Sequence, residues 1–181
     1  MSNCLVIIPT YNEIENIEAI IRTVFDLKKP FHILIVDDNS PDGTAENVHE
    51  LQEEFADQLF LEVRQGKAGL GTAYIHGFKW ALQNDYEYIF GMDADFSQKP
   101  SDLLRLHRAC LNGADLAIGS RYKKGVNVVN WPLSRIILSY GASFYVRFLT
   151  GMPINDPTSG FVCYQRQVLE GINLDAVRFI G

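Results

Sequence analysis

The chain has 181 residues, 47% hydrophobic, 12% aromatic and 21% charged, which is enough for one sizeable core and ordinary for a globular domain. A formal net charge of −6 excludes sequence-independent nucleic-acid binding, which needs a basic face to displace counterions. A phosphorylated substrate stays compatible with that charge, because local arginines or a bound cation act within a screening length of about 8 Å.

"MSNCLVIIPTYNE" opens without an early Lys or Arg and with a short apolar run, so no signal peptide is expected. "CLVIIP" (4–9) predicts the first strand and 13–27 the first helix; "HILIVD" (32–37) and 44–56 predict the second pair. "LFLEV" (59–63) is followed by a helix over 70–84, then "YEYIFGMD" (86–93) by a helix over 101–112 with Ser101 as its N-cap. "DLAIGS" (115–120) gives a fifth strand, and "FVCYQ" (161–165) a later one. Strands alternating with helices imply parallel pairing through right-handed crossovers, with both sheet faces covered: a doubly wound α/β sheet. Cys4, Cys110 and Cys163 lie far apart with no C-x-x-C pair, so neither a disulfide framework nor a zinc site is expected, and a reducing cytosol is.

The most apolar long stretch, "PLSRIILSYGASFYVRFLTGM" (132–152), is interrupted by Arg135 and Arg147. It falls short of the ~20 uninterrupted apolar residues of a transmembrane helix. On a helix, Arg135 and Ser139 share one face, while Leu133, Ile136, Tyr140, Phe144 and Phe148 fall on another. That apolar face fits either core packing or contact with a membrane surface.

In such sheets ligands bind beyond the carboxyl ends of the strands. Here the strand ends read "PTYNE" (9–13), "VDDNSPDGT" (36–44), "MDADFSQ" (92–98) and "GSRY" (119–122). They bring Glu13, Asp37, Asp38, Asp93, Asp95 and Arg121 toward one rim. "NSPDG" taken alone is a turn signal, but clustered carboxylates repel one another unless a cation or hydrogen-bond donors offset them. Mg²⁺ or Mn²⁺ does so with one or two carboxylates plus phosphate oxygens. "GKAGLGTA" (66–73) lacks the Walker spacing and predicts a turn into a helix. His32, His49, His76 and His107 show no ligand spacing and are expected to be structural.

Together "PTYNE", "VDDNSPDGT", "GLGTAYIHGF", "MDADFS", "GSRY" and "DPTSGF" (156–161) resemble the family-2 glycosyltransferases, specifically the dolichyl-phosphate (polyprenyl-phosphate) mannosyltransferases, over nearly the whole chain. The resemblance implies a glycosyltransferase-A fold, with 1–181 as a single catalytic domain. It also implies a GDP-mannose donor, a dolichyl or polyprenyl phosphate acceptor, a divalent metal (Mg²⁺ or Mn²⁺), and a place at the cytoplasmic face of a membrane. Related enzymes continue beyond the position of Gly181, so a truncated chain is expected.

By the same resemblance, Pro9, Tyr11 and Glu13 hold the nucleoside, and Val36 and Asp38 lie at base and ribose. Asp93, Ala94 and Asp95 form the D-x-D motif, in which the second aspartate binds metal and the first sits by the ribose or the metal. Their spacing is read as setting the two carboxylates on opposite sides of an extended segment. Ser97 stands where some members carry a metal-contacting Gln, and Gln98 follows it. Arg121, Arg135 and Ser139 match acceptor-phosphate positions, with Asp95, Arg121 and Arg135 as the catalytic set; Arg121 also borders the donor, and Asp156 lies near the sugar. Two alternatives stay open: a UDP-sugar transferase of the same superfamily, and a phosphoreceiver domain suggested by "IVDDNS".

Overall fold

The computed structural model describes residues 2–66, 69–120 and 159–177, together with 141, 144–146, 148, 149, 151, 154 and 156. Its strands are β1 (Cys4–Thr10), β2 (His32–Asp37), β3 (Leu59–Val63), β4 (Tyr88–Gly91), β5 (Leu116–Ile118) and β6 (Val162–Gln165). Its helices are α1 (Ile17–Phe25), α2 (Thr44–Glu54), α3 (Leu70–Gln83), α4 (Leu103–Leu111) and α5 (Arg166–Glu170).

β1 is apolar almost throughout because both its faces are covered. Cys4, Val6 and Ile8 face a core built with Ile17, Ile20, Ile21 and Val24 of α1, Val48 and Leu51 of α2, and Leu103, Leu106 and Cys110 of α4. Leu5 and Ile7 face the opposite core, with Ala73, Phe78 and Ala81 of α3 and Leu169 of α5. The helices bury stripes spaced three and four apart, the spacing that identifies them in the sequence. On the second face α3 lies close to β1: a Cβ at Gly77 would come within 2.7 Å of Ile7 Cγ2.

The sheet order is β3-β2-β1-β4-β6-β5. β1 pairs in parallel with β2 and β4, and β3 with β2, whereas β6 runs antiparallel between β4 and β5. The sheet is mostly parallel, as expected with the glycosyltransferase-A fold; "FVCYQ" is the antiparallel exception because the chain re-enters the sheet from the rim where β5 leaves it. Ile118 and Gly91 both pair with Val162. The connections through α1 and α2 step outward from β1, and α3 carries the chain back past it on the other face. The order therefore reverses between β1 and β4, which is where an open α/β sheet forms a crevice.

Most predicted boundaries shift by one to four residues, and two of the shifts bear on the site. Strand pairing stops at Gly91 instead of reaching Asp93, because Met92 makes the last bond to β1, its N–H donating to Ile7 O at 3.1 Å. Ser101 is no N-cap: it lies within a 3₁₀ turn over Pro100–Asp102, and α4 starts at Leu103.

Candidate active site

At the β1–β2 side of the crevice, Asp37 is fully buried. It accepts hydrogen bonds from Thr10 Oγ1 (2.7 Å), the Ser40 N–H (2.8 Å) and Ser40 Oγ (2.7 Å). The next layer is a row of backbone donors. Asn12 N–H donates to Ser40 Oγ, Glu13 N–H to Thr44 Oγ1, each at 3.0 Å, and Ile14 N–H to Asp42 Oδ2 at 3.1 Å. Asn12 and Asn39 turn these loops at φ 60° and 57°, left-handed conformations that Asn tolerates. "NSPDGT" is thus more than a turn: its polar side chains fix the loop that presents Tyr11 and Glu13. Burial raises the Asp42 pKa, but hydrogen bonds from Thr44 and Ile14 outweigh it and leave the carboxyl below its ordinary value. Glu13 accepts from Asn16 Nδ2 at 3.2 Å, and Tyr11 is exposed.

Asp38 is buried and pairs with Arg64, which follows β3 and which sequence reasoning missed. Arg64 Nε donates to Asp38 Oδ1 at 2.6 Å, and its NH1 to Thr72 Oγ1 at 2.8 Å. Thr72 Oγ1 in turn donates to Gly69 O at 2.7 Å, ahead of α3. One guanidinium therefore ties the tips of β2 and β3 to the start of α3. A lone Arg after an apolar strand carries no motif; its only signal was that Asp38, beside a buried strand, needed a cation.

On the β4 side, Met92 and Ala94 are buried in the core beneath α1 and α4. Between and after them, Asp93 is half-buried and Asp95 exposed. The expectation of opposite sides of an extended segment does not hold: residues two apart on an extended strand share a side, and here the strand ends at Gly91 and residues 94–98 bend. Depth and partners distinguish them instead. Asp93 is half-buried; its Oδ1 accepts from Tyr74 OH at 3.4 Å and its Oδ2 from Gln98 Nε2 at 2.8 Å. Burial, with Asp93 adjacent, raises the Tyr74 pKa well above its ordinary value, so the phenol keeps the proton it donates. Asp95 is exposed, accepts from the Ser97 N–H at 2.9 Å, and has no Lys or Arg partner among the described residues. A Cβ at Gly91 would lie 2.9 Å from both Gly160 O and Tyr74 Cε1, so only glycine lets these elements close around Asp93.

Pro9 pairs in register with Val36, and Val36 and Ala94 are buried beneath the rim. Asp156 is fully buried in the loop that precedes β6, where Ser159 Oγ donates to Gly119 O at 2.8 Å. The predicted residues Arg121, Arg135 and Ser139 lie outside the described residues, as do Leu133, Ile136 and Tyr140. Farther along that stretch Phe144, Tyr145, Phe148 and Leu149 are exposed, which overturns core packing for Phe144 and Phe148.

Among the described residues no group of three His, Cys, Asp or Glu side chains could cage a metal. The donor set still fits Mg²⁺ or Mn²⁺, which take one or two carboxylates and leave other positions to phosphate oxygens. Asp95 offers an exposed carboxylate, and Asp93 one that accepts from Tyr74 and Gln98.

The glycosyl transferase family 2 model matches residues 5–172. The chain belongs to glycosyltransferase family 2. Among its family-2 relatives, polyprenol monophosphomannose synthase of Mycolicibacterium smegmatis is 50% identical over 96% of this chain and 65% of the relative. Undecaprenyl-phosphate mannosyltransferase of Micrococcus luteus is 42% identical over 98% and 72% of the two chains. Dolichol-phosphate mannosyltransferase of Pyrococcus furiosus is 38% identical over 96% and 49%. The chain thus spans 65%, 72% and 49% of these relatives.

S. aureus TarS 1-349 superposes with a TM-score of 0.65 at 21% identity, over 92% of this chain and 48% of that one. The mannosyltransferase PcManGT of Pyrobaculum calidifontis, solved with GDP-Man and Mn²⁺, gives 0.63 at 22% over 94% and 46%. At these identities the likeness establishes the glycosyltransferase-A fold. The phosphoreceiver alternative falls to family-2 membership: its acidic pair would end the first strand, and Asp37–Asp38 lie at β2.

Proposed function

We propose that this domain transfers mannose from GDP-mannose to a dolichyl or polyprenyl phosphate, with residues 1–181 acting as one catalytic domain. The observation that carries this reading is the rim itself, where Tyr11, Glu13 and the Asp38–Arg64 pair line one side of the β1/β4 crevice and Asp93 and Asp95 the other. The names of relatives at 50%, 42% and 38% identity support the choice of sugar and of acceptor class.

The Tyr11 ring covers the base, and Glu13 and Asp38 accept hydrogen bonds from base or ribose, with Pro9 and Val36 forming the floor. Asp93 and Ala94 border the ribose and diphosphate. Asp95 and Asp93 would hold a divalent cation, which supplies Lewis acidity to the departing diphosphate. The acceptor phosphomonoester has a second pKa of about 6, so near neutrality one of its oxygens is already a nucleophile and no strong general base is needed. That oxygen forms the new bond to the anomeric carbon as the bond to GDP breaks and GDP leaves with the electron pair. Direct displacement inverts the centre and yields a β-linked mannosyl phosphate. Arg121, Arg135 and Ser139 are assigned to the acceptor phosphate, where two guanidinium groups offset the repulsion between anionic reactants.

No helix among the described residues is long and apolar enough to cross a membrane. We place the domain peripherally at the cytoplasmic face, where exposed Phe144, Tyr145, Phe148 and Leu149 meet the bilayer surface that carries the acceptor. The deciding experiment is transfer from labelled GDP-mannose to polyprenyl phosphate, with and without Mn²⁺ or Mg²⁺. Metal-dependent lipid-linked mannose is expected. Equal competition by UDP-glucose would favour the UDP-sugar reading, and metal-independent transfer would sink the role of Asp95.

A further inference from the structure

The carboxamide of Gln98 grips Asp93 at two points. Its Oε1 accepts the Asp93 backbone N–H at 3.0 Å, while its Nε2 donates to Asp93 Oδ2 at 2.8 Å. The partners themselves fix the amide's orientation, because a backbone N–H can only donate and a carboxylate can only accept. One side chain thereby ties the main chain and the carboxylate of the same residue, restricting the rotation that would swing the carboxylate away.

The intervening loop is shaped to allow this grip. Asp95 Oδ1 accepts the Ser97 N–H at 2.9 Å, closing a local turn, and Phe96 sits at φ 55°. A bulky residue in the left-handed region is strained and persists only where its surroundings over-determine it. On the far side, Tyr74 OH reaches Asp93 Oδ1 at 3.4 Å, and a Cβ at Gly160 would stand 3.5 Å from the same oxygen. Asp93 is thus enclosed by α3, by the loop before β6 and by its own loop.

The chemistry of the clamp matters as much as its geometry. A Lys or Arg could hold Asp93 as firmly, but it would cancel the charge that a cation or a sugar-nucleotide hydroxyl is to meet. A neutral amide orients the carboxylate without itself neutralising it.

We infer that Gln98 is a positioning residue: it holds Asp93 ready for the nucleotide–cation complex without touching substrate. The inference rests on the donor reading above and adds a residue to it. Outer-shell partners of this kind typically contribute about 10- to 100-fold in metal affinity.

The test is calorimetric titration of GDP in the presence and absence of Mn²⁺ on the wild type, Gln98→Ala, Gln98→Glu, Asp93→Asn and the Asp93→Asn/Gln98→Ala double variant, with thermal unfolding of each. Gln98→Ala is expected to lose about 10- to 100-fold in Mn²⁺-dependent GDP affinity with a folded-state melt. Gln98→Glu keeps the shape but opposes a carboxylate with a carboxylate, so it should lose more. In the Asp93→Asn background, Gln98→Ala should cost little further. Wild-type affinity in Gln98→Ala, Gln98→Glu no worse than Gln98→Ala, or full additivity with Asp93→Asn would each overturn the inference. Should Gln98→Ala fail to fold, the comparison of Gln98→Glu with wild type carries the same decision. A wild type that binds no GDP with Mn²⁺ overturns the donor reading, and this inference with it.

Discussion

At the tip of β2, Asp37 is fully buried and accepts three hydrogen bonds from Thr10 and Ser40, whereas at the tip of β4, Asp95 is exposed and accepts from the N–H of its own loop. Both are aspartates one or two residues from the same crevice. Asp37 spends its lone pairs joining two strand tips, so it is a strut; Asp95 keeps oxygen available at the surface. Asp38 and Asp93 lie between these extremes, the first paired with Arg64 and the second accepting hydrogen bonds from Tyr74 and Gln98. Burial and partner type, not residue type, divide the acidic rim into structure and chemistry.

The sharpest way to break that comparison is Asp37→Ala. It leaves the Thr10 hydroxyl and the Ser40 N–H and hydroxyl without their acceptor, and at 1–3 kcal/mol per orphaned buried group the loss should be about 4 kcal/mol in urea unfolding. Asp95→Asn should do the reverse: turnover falls about 10²- to 10³-fold, as when one preorganised electrostatic group is removed, with the melting temperature nearly unchanged. Matching losses of stability in the two variants would erase the distinction between strut and ligand. Arg64→Met should cost about 2 kcal/mol of stability, discounted from the full penalty of breaking a buried pair because the guanidinium is partly exposed. Adding Asp38→Asn should recover part of that loss, which a double-mutant cycle would measure.

The smallest effect is a pH slope away from the rim. Burial, with Lys29 adding to it, lowers the pKa of His107, which packs edge-on against Tyr88 and whose Nε2 has no hydrogen-bond partner among the described residues. Its unfolded-state value is near 6.5, so the unfolded chain takes up the proton first. The contribution is therefore complete above about pH 6.5 and declines as pH falls toward the lower folded value. His107→Phe should flatten the fall in stability as pH drops below about 6.5.

Much of this architecture was legible because it rests on local patterns. Ile17, Ile20, Ile21 and Val24 announce α1 by spacing alone, and the strands of β1 and β2 are continuous apolar runs because both faces are covered. The carboxylates of the rim were visible for the same reason, at the ends of those runs. What was hidden depends on pairing across the sheet. Nothing in "FVCYQ" says that it runs antiparallel, since the hydrophobic pattern of a doubly covered strand is blind to direction. The roles of Arg64 and Gln98 were not legible because they exist only once Asp38 and Asp93 are brought against them. Tyr74, on α3, belongs with them, since its hydroxyl reaches Asp93 only once the helix packs on the sheet.

The register of β6 has a consequence for how such a molecule can diversify. Ile118, where β5 ends, pairs directly with Val162, where β6 begins, so the chain departs from and returns to adjoining points of the sheet. Residues 119–161, which include Arg121, Arg135 and Ser139, therefore lie in sequence between two strand ends that pair with each other. A connection between paired strand ends can change in length or sequence without shifting the register of β1, β2 or β4, whose ends lead into Tyr11, Asp38 and Asp93.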